Sequence, residues 1–209
     1  MTTTTFPKHQ IDYLYHMTAV DNLESIFRFG LLSHSEVGQR GLQRRDISNR
    51  EVQQRRQIKR DPFYHRSLHE YVCLYFAPRN PMLCVRKDWQ DKIIILGVDR
   101  NLLLEPGAIY TDGNAAASET NFYSGAANLD SLQWDIIQAD YWNDYPDGKR
   151  IKCAEVLIYP RVEARHIHRI YCSTPEQYHR VVAHKGFRRE IVAIRKSLFF
   201  VARQYDLVY

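Results

Sequence analysis

The feature that most constrains the fold is a series of short apolar segments spaced without a regular βαβ alternation. Lys92 to Val98 is strongly β, carrying Ile93, Ile94, Ile95, Leu96 and Val98. Ile11 to His16 reads as a short strand ending in His16. Val72 to Phe76 reads as a buried strand closed by Pro78 and Pro81, and Gly107 to Thr111 as a weaker one; Cys153 to Tyr159, Ile167 to Cys172 and Glu190 to Ile194 complete the set. Helices are expected between them. In Ala19 to Gly30, Asp21 and Asn22 supply capping oxygens, Leu23, Ile26 and Phe27 recur at helical spacing, and Gly30 is a natural stop. Ile47 to Lys59 forms a second helix, ended by Asp61-Pro62, with Ser131 to Tyr141 and Pro175 to His184 as the others. Ser33 to Asp46, Asp112 to Gly125 and Asn143 to Lys152 read as turns and polar loops. This pattern predicts an α+β fold rather than a doubly wound sheet. No G-x-G-x-x-G follows the first strand, so a Rossmann dinucleotide site is not expected.

With 209 residues, 44% of them hydrophobic and 12% aromatic, the chain can bury a core. No repeat, linker or low-complexity tract divides it, so residues 1–209 are expected to form one domain. No apolar run approaches the roughly 18 to 20 residues that a membrane span needs, and Met1 to Lys8 lacks the apolar stretch of a secretory signal. A cytoplasmic protein with no membrane partner is expected. Cys73, Cys84, Cys153 and Cys172 show neither C-x-x-C pairing nor a nearby His at ligand spacing, which predicts buried thiols and no metal. The net charge of +5 is unevenly placed, with Arg40, Arg44, Arg45, Arg50, Arg55, Arg56, Lys59, Arg60 and Arg66 in one stretch. Such a cluster suits a polyanion, but it equally describes a solvated helix face with Glu51 and Arg55 paired at i,i+4, and charge by itself favours the latter.

Three motifs are more specific in combination than singly. They are Tyr15-His16-Met17-Thr18; Leu68-His69-Glu70-Tyr71 with Tyr75-Phe76-Ala77-Pro78-Arg79-Asn80-Pro81-Met82; and Ala154-Glu155-Val156-Leu157-Ile158-Tyr159. In order and spacing, from about Tyr13 to Phe200, they resemble DarT, a family of toxins that transfer ADP-ribose from NAD to bases of single-stranded DNA. The resemblance implies an ADP-ribosyltransferase-like fold, a split, twisted mixed β-sheet with inserted helices and a central NAD cleft. It further implies NAD as substrate, no metal, single-stranded DNA as partner, and a toxin countered by a DarG-like macrodomain antitoxin. Nothing requires more than a monomer.

A Glu at the edge of a strand is by itself most simply a solvated surface residue. Glu155, matching the family's catalytic-glutamate strand, is expected to stabilise positive charge developing on the ribose and to take the proton of the attacking base. Arg56 aligns with the family's active-site arginine, suited to polarising the base, with Arg55 as the alternative if the helix turns differently. The resemblance assigns His16, Thr18, Asn22, Tyr75, Phe76 and Met82 to NAD, Tyr75 and Phe76 lining the nicotinamide pocket. It assigns Arg79, Asn114, Ser118, Trp142, Arg44 and Arg45 to DNA; Trp134 is expected to be plain packing. Glu70 in place of Asp, and Cys73-Leu74 in place of Pro-Phe, leave the target base open between thymine and guanine. Two alternatives to this reading are transfer to RNA or protein, and a nucleic-acid-binding relative without catalysis.

Overall fold

The computed structural model describes residues 11–184 and 189–200. In chain order its elements are β1 (Leu14–Ala19), α1 (Leu23–Phe29), β2 (Leu31–Leu32), α2 (His34–Gln39), α3 (Arg50–Ile58), β3 (Val72–Tyr75), α4 (Pro81–Cys84), β4 (Ile93–Val98) and β5 (Ile109–Thr111). There follow β6 (Phe122–Ser124), α5 (Trp134–Gln138), α6 (Gly148–Ile151), β7 (Glu155–Ile158), β8 (Arg161–Val162), β9 (Ile167–Cys172), α7 (Pro175–Val182) and β10 (Val192–Ile194).

One mixed sheet runs in the order β10-β9-β4-β1-β3-β7-β5-β6, while β2 pairs with β8 apart from it. Only β10 and β9 are parallel within the large sheet. β4 is buried along its whole length, as its unbroken apolar run demands, and pairs with β1 from Leu14↔Val98 to Ala19↔Ile93. Between β1 and β3 the ladder nearly fails, since Tyr15↔Tyr75 is the one pair of residues in register. The sheet is therefore split at its centre. Beyond that rung the His16 Nδ1 lies 3.0 Å from the Cys73 carbonyl oxygen, a side chain standing where backbone pairing stops.

The main core covers one face of the sheet and takes in Leu14, Leu74, Ile94, Leu96, Tyr110, Trp134 and Val156. On the other face are two smaller clusters. One gathers Met17, Leu83, Ile93, Ile95 and Phe199; the other gathers Leu68, Tyr71, Ile109, Ala115 and Leu157. The split in the sheet opens between them.

Several boundaries differ from expectation for identifiable reasons. Ala19, expected to open the helix, is strand, and β1 runs on past His16, because Ile95, Ile94 and Ile93 supply partners for Met17, Thr18 and Ala19. The helix then starts at Leu23, after a single 3-10 turn over Val20–Asn22. Gly30 does end it, with φ +81°, and a Cβ there would stand 2.3 Å from the Val162 carbonyl oxygen. Inside the stretch read as turns, α2 forms because the Ser33 hydroxyl accepts the Glu36 N–H at 3.2 Å. The loop before β7 contains α6, which packs so closely that a Cβ on Gly148 would lie 1.9 Å from the Trp142 carbonyl oxygen.

Candidate active site

β7 begins at Glu155, opposite Tyr75 of β3, so both side chains project from the face on which the sheet splits. Glu155 is 1% exposed. Its Oε1 accepts hydrogen bonds from Arg56 Nη1 at 3.0 Å and from the Ala115 backbone N–H at 2.7 Å. Its Oε2 is equally buried and has no hydrogen-bond partner among the described residues. A buried carboxylate oxygen left in this state is costly, and such groups concentrate where a substrate is handled.

Arg56 comes from the last turn of α3, whose start is fixed by the Asn49 Oδ1, which accepts from Glu51 N at 2.9 Å and Val52 N at 3.2 Å. The helical turn points Arg56 inward and leaves Arg55 exposed. Nη2 of Arg56 also donates to the Cys73 sulfur. Burial opposes the guanidinium charge, but the adjacent Cys73 and Glu155 side chains more than compensate, and the Arg56 pKa lies above its ordinary value. Burial, and then the Glu155 charge, hold the Tyr75 phenol well above its ordinary pKa. The strand-leading Lys152 is buried with Nζ donating to the Ile137 and Ala139 carbonyls at 2.7 and 2.5 Å, and burial pushes its pKa down to about 8.

On the other side of the split, β1 contributes His16 and Thr18. Burial lowers the His16 pKa, with the charge of Arg44 acting in the same direction, so a neutral imidazole faces the cleft. Asn22 acts as a staple: its Nδ2 donates to Thr18 Oγ1 and to the Arg45 carbonyl, both at 3.0 Å, and its Oδ1 accepts from the Arg45 N–H at 2.8 Å. The amide thus ties the segment before α3 to the end of β1.

His16, Thr18, Asn22, Arg44, Arg45, Arg56, Tyr75, Met82 and Asn114 all line one cleft of about 630 Å³. That volume is within the range of small-molecule and cofactor sites. Phe76, Arg79, Ser118, Trp142 and Glu155 are absent from this lining; Glu155 is buried behind it and meets the lining through Arg56. Strand alternation turns Phe76 to the face opposite Tyr75, where it packs edge-on against Trp134 at 5.2 Å and Tyr110 at 6.4 Å, so its expected place in the nicotinamide pocket is corrected to the core. Trp134 is packing, as expected. Arg79 donates to the carbonyls of Ser197 and Phe199 at 3.2 and 2.6 Å, binding the C-terminal segment rather than the cleft. Trp142 meets the Phe200 ring edge-on at 5.9 Å, and Ser118 is exposed with its hydroxyl on Glu119 at 2.8 Å. Neither of these two touches the cleft.

Other residues enter the cleft unannounced. His34 and His69 stack with ring centroids 4.1 Å apart, and His69 Nε2 is 3.0 Å from Gln53 Oε1; burial pushes the His69 pKa down to about 4. Arg150 clamps the loop that carries Ala115: its Nη1 reaches Asp112 at 2.7 Å and Thr120 at 3.1 Å, and its carbonyl accepts the Asn114 N–H at 3.0 Å. Gly113 is required beneath it, since a Cβ there would lie 2.3 Å from Arg150 Nη1. Lys59 ties the same loop from α3 by donating to the Ala117 carbonyl. Among the described residues, no group of three or more His, Cys, Asp or Glu side chains is placed to hold a metal ion, and no helix is long and apolar enough to cross a membrane.

Residues 15–200 match the family model described as DarT, ssDNA thymidine ADP-ribosyltransferase. A DNA ADP-ribosyl transferase–DNA ADP-ribosyl glycohydrolase fusion protein of Thermosipho africanus is 33% identical over 168 residues, which cover 78% of this chain and 43% of that protein. The chain therefore spans less than half of that relative. The structure of Thermus sp. 2.9 DarT in complex with ADP-ribosylated ssDNA superposes with a TM-score of 0.82 at 29% identity, covering 95% of this chain and 100% of that one. The same Thermus protein in complex with NAD+ gives a TM-score of 0.77 at 29% identity over 94% of this chain and all of the other.

Proposed function

The chain belongs to the DarT family of ssDNA thymidine ADP-ribosyltransferases, and from that premise we propose that it transfers ADP-ribose from NAD to a thymine of single-stranded DNA, with Glu155 and Arg56 as its catalytic residues. The observation that carries the assignment is the carboxylate of Glu155, with one oxygen fixed by Arg56 and Ala115 and the other buried without a partner.

NAD supplies the ADP-ribosyl group: the bond from ribose C1′ to the nicotinamide nitrogen breaks, a bond from C1′ to a base nitrogen forms, and neutral nicotinamide and a proton are released. Glu155 Oε2 is the acceptor for a ribose hydroxyl while positive charge grows at C1′, and then for the proton of the base. The fixed Oε1 keeps the carboxylate from rotating away, so little reorganisation is needed at the moment of reaction. Arg56 holds the carboxylate in place and offers its planar donors to a base carbonyl. His16, Thr18, Tyr75 and Met82 hold the nicotinamide half of NAD, and Asn22 acts one step removed, by fixing the Arg45 segment over it. Arg44, Arg45 and Asn114 border the approach of the DNA. Thymine is favoured over guanine on the family's description.

We further read the chain as the toxin of a pair whose antitoxin is a macrodomain hydrolase; the Thermosipho relative, which joins a transferase to a glycohydrolase in one protein, supports this.

The test is mass spectrometry of four single-stranded oligonucleotides, each offering one candidate base, incubated with NAD and either the wild type or Glu155→Gln. A gain of one ADP-ribose on the thymine oligonucleotide, absent in the variant, is expected. Nicotinamide release without a modified oligonucleotide would move the acceptor to RNA or protein, and no release at all would refute the enzyme.

A further inference from the structure

The exposed aromatic rings of this protein are unevenly distributed, and one group of them lies on the same face of the sheet as Glu155. Phe63, Tyr64 and Tyr159 are 44%, 43% and 44% exposed. The loop bearing the first two is rigid. Buried Asp61 accepts the backbone N–H groups of Phe63, Tyr64 and Arg66 at 2.9, 2.6 and 2.8 Å, and the Tyr71 hydroxyl at 2.9 Å. Arg60 closes the loop by donating to the His65 carbonyl at 2.9 Å, and His65 is held at φ 57°, a conformation that these bonds stabilise. Arg66 lies against both tyrosines, its guanidinium 3.8 Å from the Tyr159 ring centroid and 4.7 Å from that of Tyr64.

The position is set by strand alternation. Tyr71, Cys73 and Tyr75 share a face on one strand, and Glu155, Leu157 and Tyr159 share it on the next. Tyr71 packs in the cluster that includes Ala115, the residue whose N–H holds Glu155, and its ring meets Tyr159 edge-on at 6.0 Å. Tyr159 lies four strand residues from Glu155, about 13 Å, a span of roughly four stacked nucleotides and fewer if the strand is extended. The outward charge is positive: Arg60, Arg66 and Arg161 are cationic, while Asp61 is buried and Glu70 is turned inward onto the Ser67 N–H at 2.8 Å.

Resting on the transfer reaction above, we propose that Phe63, Tyr64, Arg66 and Tyr159 form a stacking platform for nucleotides that flank the modified base. Rigid exposed rings beside guanidinium groups are the chemistry by which single strands are held without reading sequence. The platform extends the site beyond the cleft and predicts a preference for length on one side of the target.

The experiment compares wild type, Phe63→Ala/Tyr64→Ala and Arg66→Ala on oligonucleotides lengthened one nucleotide at a time on the 5′ or the 3′ side. It reads both the KM for transfer and direct binding by fluorescence anisotropy without NAD. In the wild type, binding tightens stepwise with length on one side. The variants lose about fivefold or more of that gain, as removal of one stacked base does, while KM for NAD and the rate on the shortest oligonucleotide stay unchanged. Retention of the length effect in both variants would overturn the platform. So would unchanged DNA binding with loss of capture by a macrodomain protein, which would make this a protein-docking surface. A wild type that binds with the length effect yet modifies nothing would refute the proposed reaction and leave the platform standing.

Discussion

Arg56→Ala should unfold the protein more readily than any loss of contact area would suggest, because it strands the Glu155 carboxylate. The two side chains are 7% and 1% exposed, and their 3.0 Å ion pair joins α3 to β7 across 99 residues of sequence. Breaking a buried pair from one side costs about 3 to 5 kcal/mol, most of it the penalty of a buried charge left uncompensated. Unfolding in urea has a slope of about 1 to 3 kcal/mol per M for small proteins. At about 2 kcal/mol per M, the midpoint should fall by roughly 1.5 to 2.5 M. The double variant Arg56→Ala/Glu155→Gln carries no stranded charge and should recover at least about 2 kcal/mol of that loss. The assay is urea unfolding followed by circular dichroism for the four members of the cycle. Additivity within about 0.5 kcal/mol would refute the reasoning, since uncoupled residues add to that precision.

Glu155→Gln keeps the shape of the site and removes its base, so transfer should fall by roughly a hundred- to ten-thousandfold with NAD affinity retained; calorimetry of NAD binding beside a rate measurement checks the split. Asn22→Ala removes the staple to the Arg45 backbone and should raise KM for NAD several-fold more than it lowers kcat, read from steady-state kinetics; a pure kcat loss would refute that role. Gly148→Ala places a Cβ against the Trp142 carbonyl and should cost about 1 to 3 kcal/mol, lowering Tm by roughly 2 to 4 °C per kcal/mol. His69 gives a pH signature. Its pKa of about 4 in the fold is below the ordinary 6.5, so the unfolded chain takes a proton first, and stability falls as pH drops from 6.5 towards 4. After allowance for solvent screening the change is about 1 to 2 kcal/mol, and it should vanish from urea titrations of His69→Gln.

Much of this was legible in the sequence. β4 announces itself by an unbroken apolar run and α1 by Leu23, Ile26 and Phe27 at helical spacing before Gly30, and Glu155 stands in one of three motifs whose joint order is specific. The register of Tyr75 and Phe76 was legible too, because adjacent strand residues face opposite ways; assigning both to one pocket set aside that alternation. Other features leave no local trace. The N–H of Ala115 that orients Glu155 is a backbone donor, identical in every non-proline residue. Ala19 becomes strand, and β1 runs on past His16, only because β4 lies beside them, an instance of tertiary pairing overriding local preference. The His34–His69 stack joins residues whose proximity depends on how α2 meets the turn before β3. Arg79 sits in the family-like motif yet binds the C-terminal backbone, a choice that nothing in its neighbours dictates.

The single rung between β1 and β3 has a mechanical consequence. A continuous sheet resists opening because its backbone hydrogen bonds act together, each adding about 0.5 to 1.5 kcal/mol; here β10-β9-β4-β1 and β3-β7-β5-β6 are two plates riveted at Tyr15↔Tyr75 and His16. Cohesion across the seam therefore falls to side chains: Leu14 and Leu74 belong to the core on one face, and Tyr15 and Tyr75 pack against the cluster on the other, so this is the line along which the sheet is held by packing and not by its backbone.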